Sequence, residues 1–306
     1  MQRQLLITVL AAAASAALYL SLTTGVLGTP LFAYFVQLPV LFVGLSFGLA
    51  PAGLAGFGSA GLVMAFGGGI AALVFLVVQV APCLITTRQA LLSRVGKDGK
   101  TEWYPLGLVL CQLVLYAAVV MVLALFWVRW STGSIEASFT AALTEVLGQF
   151  AGEAGELAAV AGMVADYAAI VPGIIAVSWV LMTVINAALA QLLALRGGQA
   201  QRPGAPLAEL WLPGWCGPAL AIGTLAALVA GGDLAFFAQG LAALLAVPFL
   251  MQGLAVVHSL AHRLPARGLA LAGFYLVLIL FSWPLVVVVV VLGLVEDWAH
   301  LRRRLA

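Results

Sequence analysis

Five neutral polar side chains, Gln37, Gln79, Ser178, Thr183 and Asn186, stand inside long apolar runs of this chain. An amide or hydroxyl surrounded by hydrocarbon must find a hydrogen-bond partner, so each either ties helices together or faces a pocket. Ties of this kind contribute about 0.6 kcal/mol each, whereas a pocket would suit an uncharged or amphiphilic solute. Ser178, Thr183 and Asn186 fall near one face of a single helix. With Gln37 and Gln79 they form the candidate solute-binding set. Gln112, Gln191, Gln239 and Gln252 share the same apolar setting.

Other chemistry has little to stand on. No pair of carboxylates falls in the apolar runs, so a proton relay of the Asp or Glu type has no candidates. His258 and His262 are one helical turn apart, a spacing that can hold a metal. They adjoin Arg263, however, and no third ligand is in sight, so no metal or cofactor is expected. Cys83, Cys111 and Cys216 lack CxxC spacing and read as small packing residues. GxSxG, Walker and HExxH patterns are absent, so the sequence offers no basis for an enzyme.

The elements that must position these residues follow from charge. The chain has 306 residues, 64% hydrophobic and 8% charged, with a net charge of +2 and a mean hydropathy of +1.17. An ordinary soluble domain carries about a quarter charged residues; this one cannot cover a globule in water. A nucleic-acid partner held by counterion release is excluded on the same ground. Between Arg3 and Arg88 there is no Asp, Glu, Lys, Arg or His, room for about four spans at roughly 20 residues each. Further gaps run from Glu102 to Arg129, Asp166 to Arg196, Glu209 to Asp233 and Arg267 to Glu296, and the stretch from Asp233 to Arg263 holds only His258 and His262. Backbone in lipid must bond internally, so the spans are helical. The fold class is an all-α polytopic transmembrane bundle of about eight to ten spans.

Glycine and proline punctuate the runs. Helices are expected near Leu5 to Thr24, Leu31 to Leu49, Pro51 to Phe66, Ile70 to Leu92, Pro105 to Val128, Tyr167 to Leu195, Gly217 to Ala230 and Leu234 to His262. Basic loops mark the cytoplasmic side: Arg88 to Lys100, Arg196 to Arg202 and Arg263 to Arg267, with Arg3 and the N-terminus on that side too. Segment 131–166 carries Glu136, Glu145, Glu153, Glu156 and Asp166 and no Lys or Arg, belongs outside, and shows helical periodicity at Phe139, Leu143, Val146, Phe150, Leu157, Val160 and Val164; it either covers apolar surface or acts as a lid. From Gly268 to Val295 the chain forms either one tilted span or, as the terminal arginines prefer, a hairpin broken at Ser282-Trp283-Pro284. Residues 1–195 form a membrane core and residues 196–306 a C-terminal extension.

The run Leu38-Pro39, Gly44, Gly48, Pro51, Gly53 and Gly56 resembles the pattern joining two early helices in S components of energy-coupling-factor transporters and in MreD-like shape-determining proteins. Ala12 and Ala16 are similar to the small-residue motif with which S components dock a transmembrane coupling subunit. Glu209-Leu210-Trp211-Leu212-Pro213-Gly214-Trp215, Gln252 to His258, and Gly293, Asp297, Trp298 and Arg302 resemble the YybS-like family of bacterial membrane proteins. These resemblances imply a six-helix S-component-like core with an extension, in a bacterial cytoplasmic membrane. They leave two expectations open. One is a binding subunit for a small neutral or amphiphilic solute, docked through Ala12 and Ala16 on a partner that hydrolyses ATP. The other is a non-transporting scaffold for envelope-assembly or division proteins, with Trp211, Pro213 and Trp215 as interfacial and partner contacts. Membrane lipid is a partner in both.

Overall fold

The computed structural model describes residues 2–21, 32–148 and 167–304. Glu153, Glu156, Asp166 and the second half of the external segment lie outside them. The described residues are almost wholly helical and fall into two compact units, Met1–Leu113 with Trp179–Pro206 and Val114–Ser178 with Leu207–Ala306. Among the described residues five helices are long and apolar enough to cross a membrane: Gln2–Leu20, Leu49–Ala90, Leu106–Thr132, Ala168–Arg196 and Asp233–Ala261. The protein is an integral membrane protein with an all-α architecture.

Unit 1 opens with α1 (Gln2–Leu20), then α2 (Leu38–Phe47) and a run in which α3 (Leu49–Phe75) continues through a π-helical segment, Leu76–Val80, into α4 (Ala81–Ala90). That run of 42 residues would be about 63 Å long if straight, twice a bilayer. It is broken at Gly68, where φ is 86° and ψ 172°, a conformation that costs only glycine little. The break falls in the Gly67–Gly69 cluster, as the sequence indicates, and leaves two arms of about 30 Å each. The other early boundary is displaced. No helix runs unbroken from Leu31 to Leu49: Tyr34–Gln37 is wound into turns by Phe35 N–H to Phe32 O, Val36 N–H to Ala33 O and Leu38 N–H to Phe35 O. Pro39 then sits in the first turn of α2, where its missing N–H leaves no gap.

Small residues let these helices close on one another. Ser59 Oγ donates to Ala12 O at 3.0 Å, and Ser15 Oγ to Val36 O at 2.7 Å. Ala16 is only 2% exposed, and Ala12 is buried too. Ala12 and Ala16, expected to dock a coupling subunit, pack against α3 of the same chain. Ala12 lies by Gly58 and Leu20 by Gly67, so α1 runs parallel to the first arm. Their starts, and hence Arg3, share the end of the unit where Gly48 and Arg88 lie.

At that end a hairpin follows α4. Strand β1 (Ser93–Val95) pairs antiparallel with β2 (Thr101–Trp103), Arg94 opposite Glu102, around Asp98-Gly99 with Gly99 at φ 77°. The loop after α7 (Val171–Arg196) returns here: Gln201 N–H donates to Leu45 O at 3.2 Å. Arg202, 8% exposed, donates from Nη1 to Ala90 O at 3.1 Å and Tyr104 O at 3.0 Å.

Unit 2 is built around α9 (Asp233–Ala261). Two helices pack against it antiparallel: α8 (Cys216–Val229), with Gly223 against Ala242 and Leu245, and α11 (Ser282–Ala299), with Gly293 against Phe249 and Gly253 against Val289. Between them α10 (Arg267–Leu280) ends at Phe281, beside the Ser282-Trp283-Pro284 break signal. His300 takes the left-handed conformation, φ 47° and ψ 48°, turning the chain into a last short helix, α12 (Leu301–Arg304). This brings Arg302 back onto Glu296: Nε–H donates at 2.8 Å and the backbone N–H at 3.1 Å.

Asp233 gathers another junction. Its Oδ2 pairs with Arg129 Nε at 2.8 Å, near the end of α5 (Leu106–Thr132). Its Oδ1 accepts the first N–H groups of α6 (Ile135–Gly148), Ile135 at 3.1 Å and Glu136 at 3.4 Å. Those donors have no intrahelical partner, and a carboxylate there also complements the helix dipole. Asp233→Ala should lower stability by about 1–2 kcal/mol, read as earlier thermal unfolding of the detergent-solubilised protein. Asp233→Asn should recover roughly half, because the amide oxygen can still cap; equal loss in both variants would count against the capping role.

Candidate functional site

Within unit 1, the irregular backbone of Tyr34–Gln37 and the π-helical segment meet the face of α7 that carries Trp179, Thr183 and Asn186. The π register and the turn leave carbonyls that no regular helix would use. Gln37 Nε2 donates to Val78 O at 3.3 Å, and Trp179 Nε1 to the same oxygen at 2.9 Å. Asn186 Nδ2 donates to Tyr34 O at 2.7 Å and Met182 O at 2.8 Å. Thr183 Oγ1 is turned back on Trp179 O at 3.0 Å.

The carbonyls decide which way the amides face. Because Val78 O and Tyr34 O can only accept, the NH2 groups of Gln37 and Asn186 must point at them. Their oxygens are left over. Gln37 Oε1, Asn186 Oδ1 and Gln79 Oε1 are buried and have no hydrogen-bond partner among the described residues; Gln37 is 0% and Asn186 1% exposed. A buried acceptor without a donor costs about 1–3 kcal/mol. Among the described residues of unit 1 six buried side-chain polar atoms lack a partner, these three amide oxygens and the hydroxyls of Ser46, Thr86 and Thr87. Gln37 also begins the ten-residue α2, whose other end is the basic end of the unit. It therefore lies about 15 Å from that end, half the thickness of a bilayer.

No known protein family, curated protein or solved structure matches the chain. Of the five candidate residues, Gln37, Thr183 and Asn186 join this hydrogen-bonded node, and Gln79 adjoins Val78, on which it converges. Ser178, one position before Trp179 on α7, is half-buried and belongs to unit 2. Trp179 is the residue that sequence reasoning missed; its signal is an indole N–H in an apolar run at positions i, i+4 and i+7 with Thr183 and Asn186.

Of the other candidates, Trp211 and Trp215 are exposed, while Pro213 is buried with Leu210 and Leu212. His258 Nε2 lies 2.9 Å from Tyr275 Oη. Among the described residues no three of His, Cys, Asp and Glu come together to hold a metal.

Proposed function

We propose that this integral membrane protein binds a small neutral solute rich in N–H or O–H groups, at the node formed by Gln37, Gln79, Trp179, Thr183 and Asn186. The observation that carries the reading is the chemistry of what is left unpaired: every orphan at the node is an acceptor, so a matching ligand is a donor. Mid-bilayer binding beside interrupted helices is a recurrent transporter arrangement. The chain has no nucleotide-binding pattern, so solute movement would draw its energy from a partner, such as a transmembrane coupling subunit. The resemblance to S components agrees with such a role, and membership of the YybS-like family belongs to the same proposal. A second reading, a scaffold for envelope-assembly proteins, draws on the complete burial of Gln37 and Asn186 and on the exposed indoles of Trp211 and Trp215.

Gln79 separates the two. In a scaffold its orphan oxygen is only a cost, so Gln79→Met should raise the unfolding temperature and change nothing else. In a binding protein the same variant loses a small-molecule adduct that wild-type protein, gently released from detergent, carries in native mass spectrometry. Gln37→Met should lose it as well. A wild-type chain that never carries an adduct, with Gln79→Met simply more stable, would overturn the binding reading.

A further inference from the structure

The basic end of unit 1 carries a second feature, independent of the solute node. A groove of about 440 Å³ opens where the hairpin meets the ends of α4 and α5, lined by the apolar and aromatic side chains of Leu92, Trp103, Tyr104 and Pro105 together with the polar ones of Ser93, Arg94 and Glu102. Both helices belong to membrane spans, so their ends put the groove at the boundary between hydrocarbon and water. Its apolar lining is aromatic, as such boundaries favour. Its polar lining includes Arg94, whose Nε meets Glu102 Oε2 at 2.7 Å, so this pair is close to neutral.

The excess charge lies around and behind it. Of the charged residues in unit 1, seven are basic and only Asp98 and Glu102 are acidic, and the helix register brings them to this one end. Arg202 stands against the aromatic lining, its guanidinium carbon 5.8 Å from the centre of the Trp103 ring. Among the described residues no carboxylate lies within ion-pair distance of it. It remains charged, solvated by two carbonyls and a π face, and burial pushes its pKa below the usual arginine value.

We propose that this groove is a binding site for the headgroup of an anionic phospholipid, its glycerol and upper acyl chain against Leu92, Trp103 and Pro105 and its phosphate facing the basic hairpin. An apolar lining continuous with the bilayer, under a surplus of cations that the chain does not neutralise, fits a lipid better than a water-soluble anion.

The test is lipid retention. Full-length protein in nanodiscs of equal phosphatidylglycerol and phosphatidylcholine is released in native mass spectrometry and the retained lipids are counted by mass. Retention should favour phosphatidylglycerol, and each of Arg94→Gln and Lys97→Gln, both on the exposed hairpin where the fold tolerates change, should cut that preference about fivefold. Arg202→Gln should cut it at least as far; circular dichroism separates this from misfolding. Equal retention of the two lipids, or a preference that the hairpin variants leave unchanged, would overturn the assignment. Displacement of phosphatidylglycerol by excess inorganic phosphate would overturn it as well, by showing that the site takes the free anion.

Discussion

Gly293→Ala should unfold the detergent-solubilised protein well before wild type, with a loss of about 3 kcal/mol, near the upper range for forcing atoms into a packed core. A Cβ built at Gly293 would overlap the carbonyl oxygen of Phe249, and one at Gly253 would overlap that of Val289. Neither obstacle is a side chain that can swing away. Both are helix backbone, so α9 and α11 would have to separate along much of their seam, and Gln252 Nε2 would lose its 3.2 Å bond to Gly293 O. Gly253→Ala should cost as much, and the pair together less than the sum, since one separation accommodates both. Gly273→Ala in α10 is the control: nothing lies within 4 Å of its missing Cβ, and alanine should gain up to about 1 kcal/mol from helix propensity. Equal effects at all three positions would show that α9 and α11 do not meet backbone to backbone.

Glu296→Ala should have the next largest effect. The carboxylate is 4% exposed and receives both the Nε–H and the backbone N–H of Arg302. Removing one side of a buried pair costs about 3–5 kcal/mol; the lower end applies here because the Arg302 side chain keeps 17% of its surface. The distinctive readout is local. Without the Glu296 carboxylate the turn loses both bonds to Arg302 and keeps the backbone bond from His300 N–H to the carbonyl of residue 296, and trypsin should cut after Arg302 and Arg303 much faster than in wild type. Glu296→Gln keeps acceptors for both N–H groups and should fall between. If all three proteins are cut at one rate, the clasp is not what orders the C-terminus.

Much of this architecture was legible because lipid imposes two blunt rules, on charge and on backbone. The gaps between ionisable residues mark the long helices, and the break at Gly68 follows from three consecutive glycines. The turn at Tyr34–Gln37 was not legible, because Ala33 to Gln37 contains neither glycine nor proline; its cause is tertiary, in the carbonyls that Asn186 and Ser15 hold from other helices. Ala12 and Ala16 show a different limit. Small residues at helical spacing announce a close neighbour and cannot say whether it comes from the same chain. Four of the node's residues stood out as amides and a hydroxyl in apolar runs, yet Trp179 passed as an ordinary large apolar side chain. Arg202 passed as one more loop cation, although its burial makes it a structural one. The hairpin had a signal, Asp98-Gly99, masked by the surrounding charge.

The kink at Gly68 has a consequence for the membrane surface on its side. Two crossings are joined there by a single residue's backbone torsion, with no loop between them. On that leaflet the protein offers almost no water-exposed peptide at this point for a protease, an antibody or a soluble partner to grip, whereas the opposite leaflet carries the hairpin and its cations.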